Sequence, residues 1–120
     1  MRKIKVFCLD VDKNVISVKY LEDDAKVICH EIGCSLYTEE TVEIGGTKFR
    51  ILCDQEGLLK KFPKPSFKSG GEVIIVGNLI VAGCDGDYES RSLTMPEIVT
   101  VIQHIDFDLD LGYHILRKEK

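Results

Sequence analysis

The chain reads as an α+β domain, a mostly antiparallel sheet of about five strands with two helices packed on it. Two kinds of stretch carry this reading. Short β-branched, apolar-rich segments recur along the chain, set apart by Asp, Asn and Gly turn signals. Two other segments, one after Glu22 and one after Thr94, switch to helical spacing behind residues suited to a helix start. No repeat, low-complexity stretch or linker divides the 120 residues, so a single domain over 1–120 is expected.

The elements follow in order. Ile4 to Leu9 and Val15 to Tyr20 flank Asp10-Val11-Asp12-Lys13-Asn14, whose residues tolerate turn geometry, and so form a hairpin. Glu22-Asp23-Asp24 then opens a short helix where acidic groups suit the helix dipole. Ala25, Ile28, Cys29 and Ile32 fall on one face of it, and Gly33 is its stop. Leu36 to Ile44 alternates, with Leu36, Val42 and Ile44 on one side and Tyr37, Glu39 and Glu43 on the other. Gly45-Gly46 is a two-residue hairpin turn, and the return strand Thr47 to Cys53 turns Phe49, Ile51 and Cys53 inward and Lys48 and Arg50 outward. Opposite charges on the two arms then face each other.

Leu58 to Gly71, with Pro63 and Pro65, is expected to be a loop. Val73 to Ala82 is nearly all apolar, as in a strand covered on both faces, with Gly77-Asn78 either a bulge in it or a turn dividing it. Asp85-Gly86-Asp87 is a turn, and Tyr88 to Ser92 a short strand. The second helix carries a Thr94/Glu97 capping box, Pro96 in its first turn and a Leu93/Ile98 staple. Ile98, Val99, Ile102 and Ile105 make its expected buried stripe. Tyr113 to Leu116 adds an edge strand before a charged tail.

Composition narrows the function classes. With 44% hydrophobic and 30% charged residues the chain is globular, and a net charge of -4 disfavours a protein whose whole surface binds nucleic acid. No apolar run approaches the roughly 20 residues of a bilayer span. The segment after Met1-Arg2-Lys3 is interrupted by Asp10 and Asp12, unlike a secretory signal. Five scattered cysteines, Cys8, Cys29, Cys34, Cys53 and Cys84, fit a reducing, cytoplasmic setting better than an exported one.

No constellation assembles a reactive centre, and no cofactor or metal is expected. Asp10-Val11-Asp12 lacks the downstream partners of an aspartyl-phosphate enzyme and reads as a turn. Asp106-Phe107-Asp108-Leu109-Asp110 begins like a calcium loop, but the required Gly and Glu positions hold Leu111 and Arg117. Its carboxylates are read instead as guards of an exposed edge. Cys29, His30, Cys34 and His104 lack the close paired spacing of a zinc site. A thiol enzyme built on Cys29 or Cys34 is the least favoured reading. Ser69-Gly70-Gly71 is the one glycine cluster suited to approach a phosphate, but it is too short for such a site and reads as a flexible loop end.

The unusual surface is the basic, aromatic loop 59–71, with Lys60, Lys61, Phe62, Lys64, Phe67 and Lys68 as candidate ligand-binding residues. Lysine supplies charge for a phosphate and phenylalanine a stacking face. The plainer alternative is that the Phe rings pin the loop to the core while the Lys side chains are solvated.

Phe49-Arg50-Ile51-Leu52-Cys53-Asp54-Gln55-Glu56-Gly57-Leu58, the apolar run from Glu72 to Gly83 and the Leu93-Thr94 helix start together resemble the phage and mobile-element family called domain of unknown function 3846. Under that resemblance Asp54, Glu56 and Gly57 match an acidic turn, and Gly77 and Gly83 match the strand glycines. Phe62-Pro63-Lys64-Pro65 departs from the family by lacking an Asn in the loop. The resemblance implies an intracellular accessory protein and supplies no catalytic residues. The sequence therefore points to a non-enzymatic binding module that contacts a host protein or small ligand. Exposed sheet edges make a homodimer the expected assembly. The alternative is a nucleotide or nucleic-acid binder using the loop.

Overall fold

The computed structural model describes residues 2–56, 64–86 and 89–118. In chain order its elements are β1 (Lys3–Asp10), β2 (Val15–Glu22), α1 (Ala25–Ile32), β3 (Tyr37–Ile44), β4 (Thr47–Asp54) and β5 (Pro65–Ser69). There follow β6 (Glu72–Val76), β7 (Leu79–Asp85), β8 (Glu89–Arg91), α2 (Met95–Gln103), β9 (Ile105–Asp108) and β10 (Tyr113–Lys118). The large sheet has the order β2-β1-β7-β4-β3, with β8 also on β7, and a small sheet has the order β6-β5-β10-β9. Every pairing among the described residues is antiparallel except that of β5 with β10. The α+β class with two helices holds. The small sheet is an addition to the expected architecture.

Three layers result from the two-residue period of the central strands. Phe7 and Leu9 of β1, Phe49, Ile51 and Cys53 of β4, and Leu79 and Val81 of β7 face one way. They pack against Phe67, Ile75, Ile115 and Leu116 of the small sheet and Ile98 and Val101 of α2. Ile4, Val6, Cys8, Leu52, Ile80 and Ala82 face the other way, onto Ile28 and Ile32 of α1. Each Val, Leu, Ile or Phe among them contributes roughly 1.5–3 kcal/mol by leaving water, so the strands apolar on both faces hold the layers together.

The local signals explain the ends of the elements. The Asp24 carboxylate caps α1 by accepting from the Lys26 N–H, and Gly33 closes the helix in the left-handed conformation. The β3–β4 turn uses Gly45 and Gly46 at φ 57° and 81°, which a residue with a Cβ resists. Thr94 and Glu97 form the full capping box of α2, with Pro96 in the first turn.

Five expectations need correction or refinement. Residues 65–69 of the expected loop are strand β5, which starts on Pro65 where no ladder donor is needed, while 57–63 lie outside the described residues. The apolar run from Val73 to Ala82 is divided into two strands at Gly77-Asn78, the second of the two alternatives, but the halves lie in different sheets and do not pair with each other. Gly77, at φ 85°, and Asn78 carry the chain from the small sheet in β6 to the large sheet in β7. Arg50 is buried rather than outward, because β4 is interior and both its faces are covered; its guanidinium pairs with Glu39. Leu36 precedes β3 and is exposed, as are Val99 and Ile102 of α2, whose inward face is Glu97, Ile98 and Val101. Finally β10 is an interior strand, between β5 and β9, with Tyr113, Ile115 and Leu116 buried.

Asn78 fixes the sheet-to-sheet crossing. Its side-chain oxygen accepts from the Val11 N–H at 2.9 Å and its amide donates to the Ile32 carbonyl at 3.2 Å. One side chain thus joins the β1–β2 turn to the end of α1.

Candidate functional site

Among the described concavities, the basic one lies where β5 and β10 end. The parallel register sets Arg117 beside Lys68 and Lys118 beside Ser69. The β5–β6 turn at Gly70-Gly71 closes the same corner, leaving a concavity of about 250 Å³ lined by Lys68, Gly70, Gly71, Arg117 and Lys118. Phe67 and Leu116, the neighbours that pair just before, turn inward and anchor both strands in the core. The cations thus sit just beyond a buried pair of strand residues.

Two of these cations have partners from β9. Lys68 Nζ lies 3.3 Å from an Asp108 carboxylate oxygen, and Arg117 Nη1 lies 3.1 Å from Asp106. Asp108 is held below the usual carboxylate range first by the Leu111 N–H and then by Lys68. The Asp110 N–H donates to it as well. The carboxylates of the acidic run are therefore spent on a turn and on orienting the two cations. Lys118 has no ion-pair partner among the described residues, so the corner keeps an excess of positive charge.

The sequence candidates fare differently. Lys68 is in this corner. Lys64 lies at the opposite end of β5, 3.8 Å from Asp12 of the β1–β2 turn. Phe67 is 1% exposed and fills the core, so it offers no stacking face to a ligand. Lys60, Lys61, Phe62 and Gly57 lie outside the described residues. Asp54 accepts from the Glu56 N–H at 2.9 Å, which makes the acidic turn a backbone-capping turn as it stands. In the sequence Arg117 and Lys118 read as tail charges, because only the long-range pairing of β5 with β10 brings them to Lys68.

The other constellations do not converge. His104 Nδ1 donates to the Thr100 carbonyl at 2.8 Å and packs on Gly45, on the small-sheet side of the large sheet, while Cys29 belongs to α1 on the other side. Cys29 Sγ donates to the Ser35 carbonyl at 3.6 Å. Burial pushes the Cys8 and Cys53 thiols up to about 12, which leaves them protonated and unreactive. Asp10 accepts from the Lys13 N–H and so serves the hairpin turn. A further concavity of about 170 Å³ beside β2 sets Lys19 against Glu31 at 2.8 Å, so its charges satisfy each other.

Among the described residues no helix is long and apolar enough to cross a membrane, and no group of three or more His, Cys, Asp or Glu side chains is placed to hold a metal ion. Compared with known proteins, the chain matches no family model, no curated protein and no solved structure.

Proposed function

We propose that the protein is a small accessory binding module that takes up a phosphate-bearing small molecule, of the nucleotide kind, at the corner formed by Lys68, Arg117, Lys118 and the Gly70-Gly71 turn. The observation that carries this is the convergence of the three cations on one turn in a chain of net charge -4. Side chains held by Asp106 and Asp108 are oriented before a ligand arrives, which lowers the entropic cost of binding. None of the lining residues is a thiol, imidazole or hydroxyl, and this supports holding an anion rather than transforming it. A nucleic-acid strand fits less well, since Phe67 is withdrawn into the core and the net charge repels a long polyanion. The resemblance to the mobile-element family gives the accessory role its setting.

Calorimetric titration with inorganic pyrophosphate and with ATP tests the reading. Binding should weaken between about 50 mM and about 200 mM salt. It should fall at least about tenfold when Arg117 and Lys118 are both changed to Ala, a loss of roughly 1.4 kcal/mol or more. Both residues are at the end of a strand, so a thermal melt close to that of the parent should accompany the change. No heat with either ligand, or equal affinity in the variant, overturns the proposal.

A further inference from the structure

The sheet edges are unequal. β3 carries Glu39, Glu40 and Glu43 along one edge of the large sheet, and β9 carries Asp106 and Asp108 along one edge of the small sheet. β6, the other small-sheet edge, has only five residues. Such charges and short lengths keep strand edges from pairing with other chains. β2 is less defended, with Glu22 only at its end and Lys19 its one other charge. It runs for eight residues at the other edge of the large sheet, and Val15, Val18 and Tyr20 are 47%, 40% and 63% exposed. Its one lysine, Lys19, is turned to Glu31 of α1.

We infer that β2 is the pairing edge for a second copy of this chain, the two strands running antiparallel about a two-fold axis through Val18. The pairing of β2 with β1 sets Ile16, Val18 and Tyr20 on one face, opposite Leu9, Phe7 and Lys5. A two-fold axis keeps faces together, so Val18 meets Val18, and Ile16 meets Tyr20 of the second copy. That gives an apolar cross-strand row, the kind of pairing that stabilises sheets. On the other face Val15 meets Leu21 and Ser17 meets Lys19. At the ends Lys13 and Asn14 approach Glu22 and Asp23 of the second copy, and both Lys13 and Asp23 are exposed. The charges are therefore complementary under the same axis. Centring on Lys19 would instead oppose two lysines, and centring on Ser17 would set Tyr20 against the turn residue Asn14. The strand thus selects its own register. This inference stands apart from the anion-binding reading, because it uses neither the basic corner nor its residues.

Sedimentation and light scattering over a concentration series, with two cysteine variants, test it. The parent should pass from monomer to dimer as concentration rises. Val18→Lys puts like charges opposite each other and should weaken association at least about tenfold while leaving circular dichroism and melting unchanged. Under mild oxidation Val18→Cys should form a covalent dimer above the parent's own background. Tyr20→Cys should not, because its two copies sit about 14 Å apart along the strands, beyond disulfide reach. A parent that stays monomeric throughout, a Val18→Lys protein that still dimerises, or crosslinking by Tyr20→Cys as well as by Val18→Cys overturns the proposal.

Discussion

Glu97 shows how a polar side chain can be buried and still add to stability. Its carboxylate takes both Arg91 Nη1 and Nη2, at 2.8 and 2.7 Å, and also accepts from the Thr94 N–H at 2.8 Å. The pairing with Arg91 is the main reason its pKa is lowered to about 2 from an ordinary 4.5. A depressed carboxylate stabilises the fold at pH values above its unfolded pKa, and the contribution fades as pH falls from the unfolded value toward the folded one. Arg91 is partly open to solvent, so the contribution is discounted to on the order of 2 kcal/mol. Glu97→Gln should therefore be less stable than the parent at neutral pH, and the gap should close between pH 4.5 and about 2. Denaturant unfolding at several pH values checks this; a gap that stays constant with pH would count against it. Gly83 belongs to the same device. A Cβ there would lie 2.5 Å from Arg91 Nη1 and 2.9 Å from the Ser92 carbonyl oxygen. Gly83→Ala should cost roughly 1–3 kcal/mol by overpacking, measured by the same unfolding experiment. The sequence marked both Glu97 and Gly83, but as a cap and a strand glycine. The arginine that joins them comes from β8 and is adjacent only in the fold.

At the scale of elements, the hairpins and caps were legible because their signals are local. Gly45-Gly46 between alternating strands, Asp24 before α1 and Thr94 with Glu97 each act within a few residues. What was not legible depends on distant chain. β5 looked like a loop because Pro65 opens it and Pro63 precedes it; its turn to β6 at Gly70-Gly71 is local, but its other partner, β10, lies more than forty residues on. The phase of α2 was ambiguous for another reason. Apolar residues stand on both sides of that helix, and the Arg91–Glu97 pair decides which side turns inward. The contrast predicts unequal costs for the same deletion. Ile98→Ala, at a site 5% exposed, should lose about 2–4 kcal/mol. Ile102→Ala, at a site 52% exposed, should lose less than about 1 kcal/mol. Chemical denaturation of the two variants decides it, and equal losses would mean the helix is packed in another phase.

At the scale of the whole molecule, the two proposed surfaces are separated by the path of β5 and β10. Both strands begin near the β1–β2 turn, where Lys64 meets Asp12 and the His114 N–H donates to Asn14. They run in parallel away from that turn and end together at Lys68, Arg117 and Lys118. Five to six residues of extended strand place the basic corner on the order of 15 Å from the end of the β2 edge. The sequence identified a basic, glycine-bearing segment and exposed edges, but their separation follows from the small sheet, whose β5–β10 pairing joins distant parts of the chain. Binding at one surface should therefore leave the other nearly untouched, as distant sites without shared partners act independently. Val18→Lys should keep the pyrophosphate affinity of the parent within about twofold, equivalent to less than roughly 0.5 kcal/mol. The Arg117→Ala, Lys118→Ala double variant should in turn keep the parent's dimerisation constant. Calorimetry on the first and sedimentation on the second measure the two couplings. A large change in either would require a conformational link between the sheets through the Gly77-Asn78 crossing, where the chain passes from one to the other.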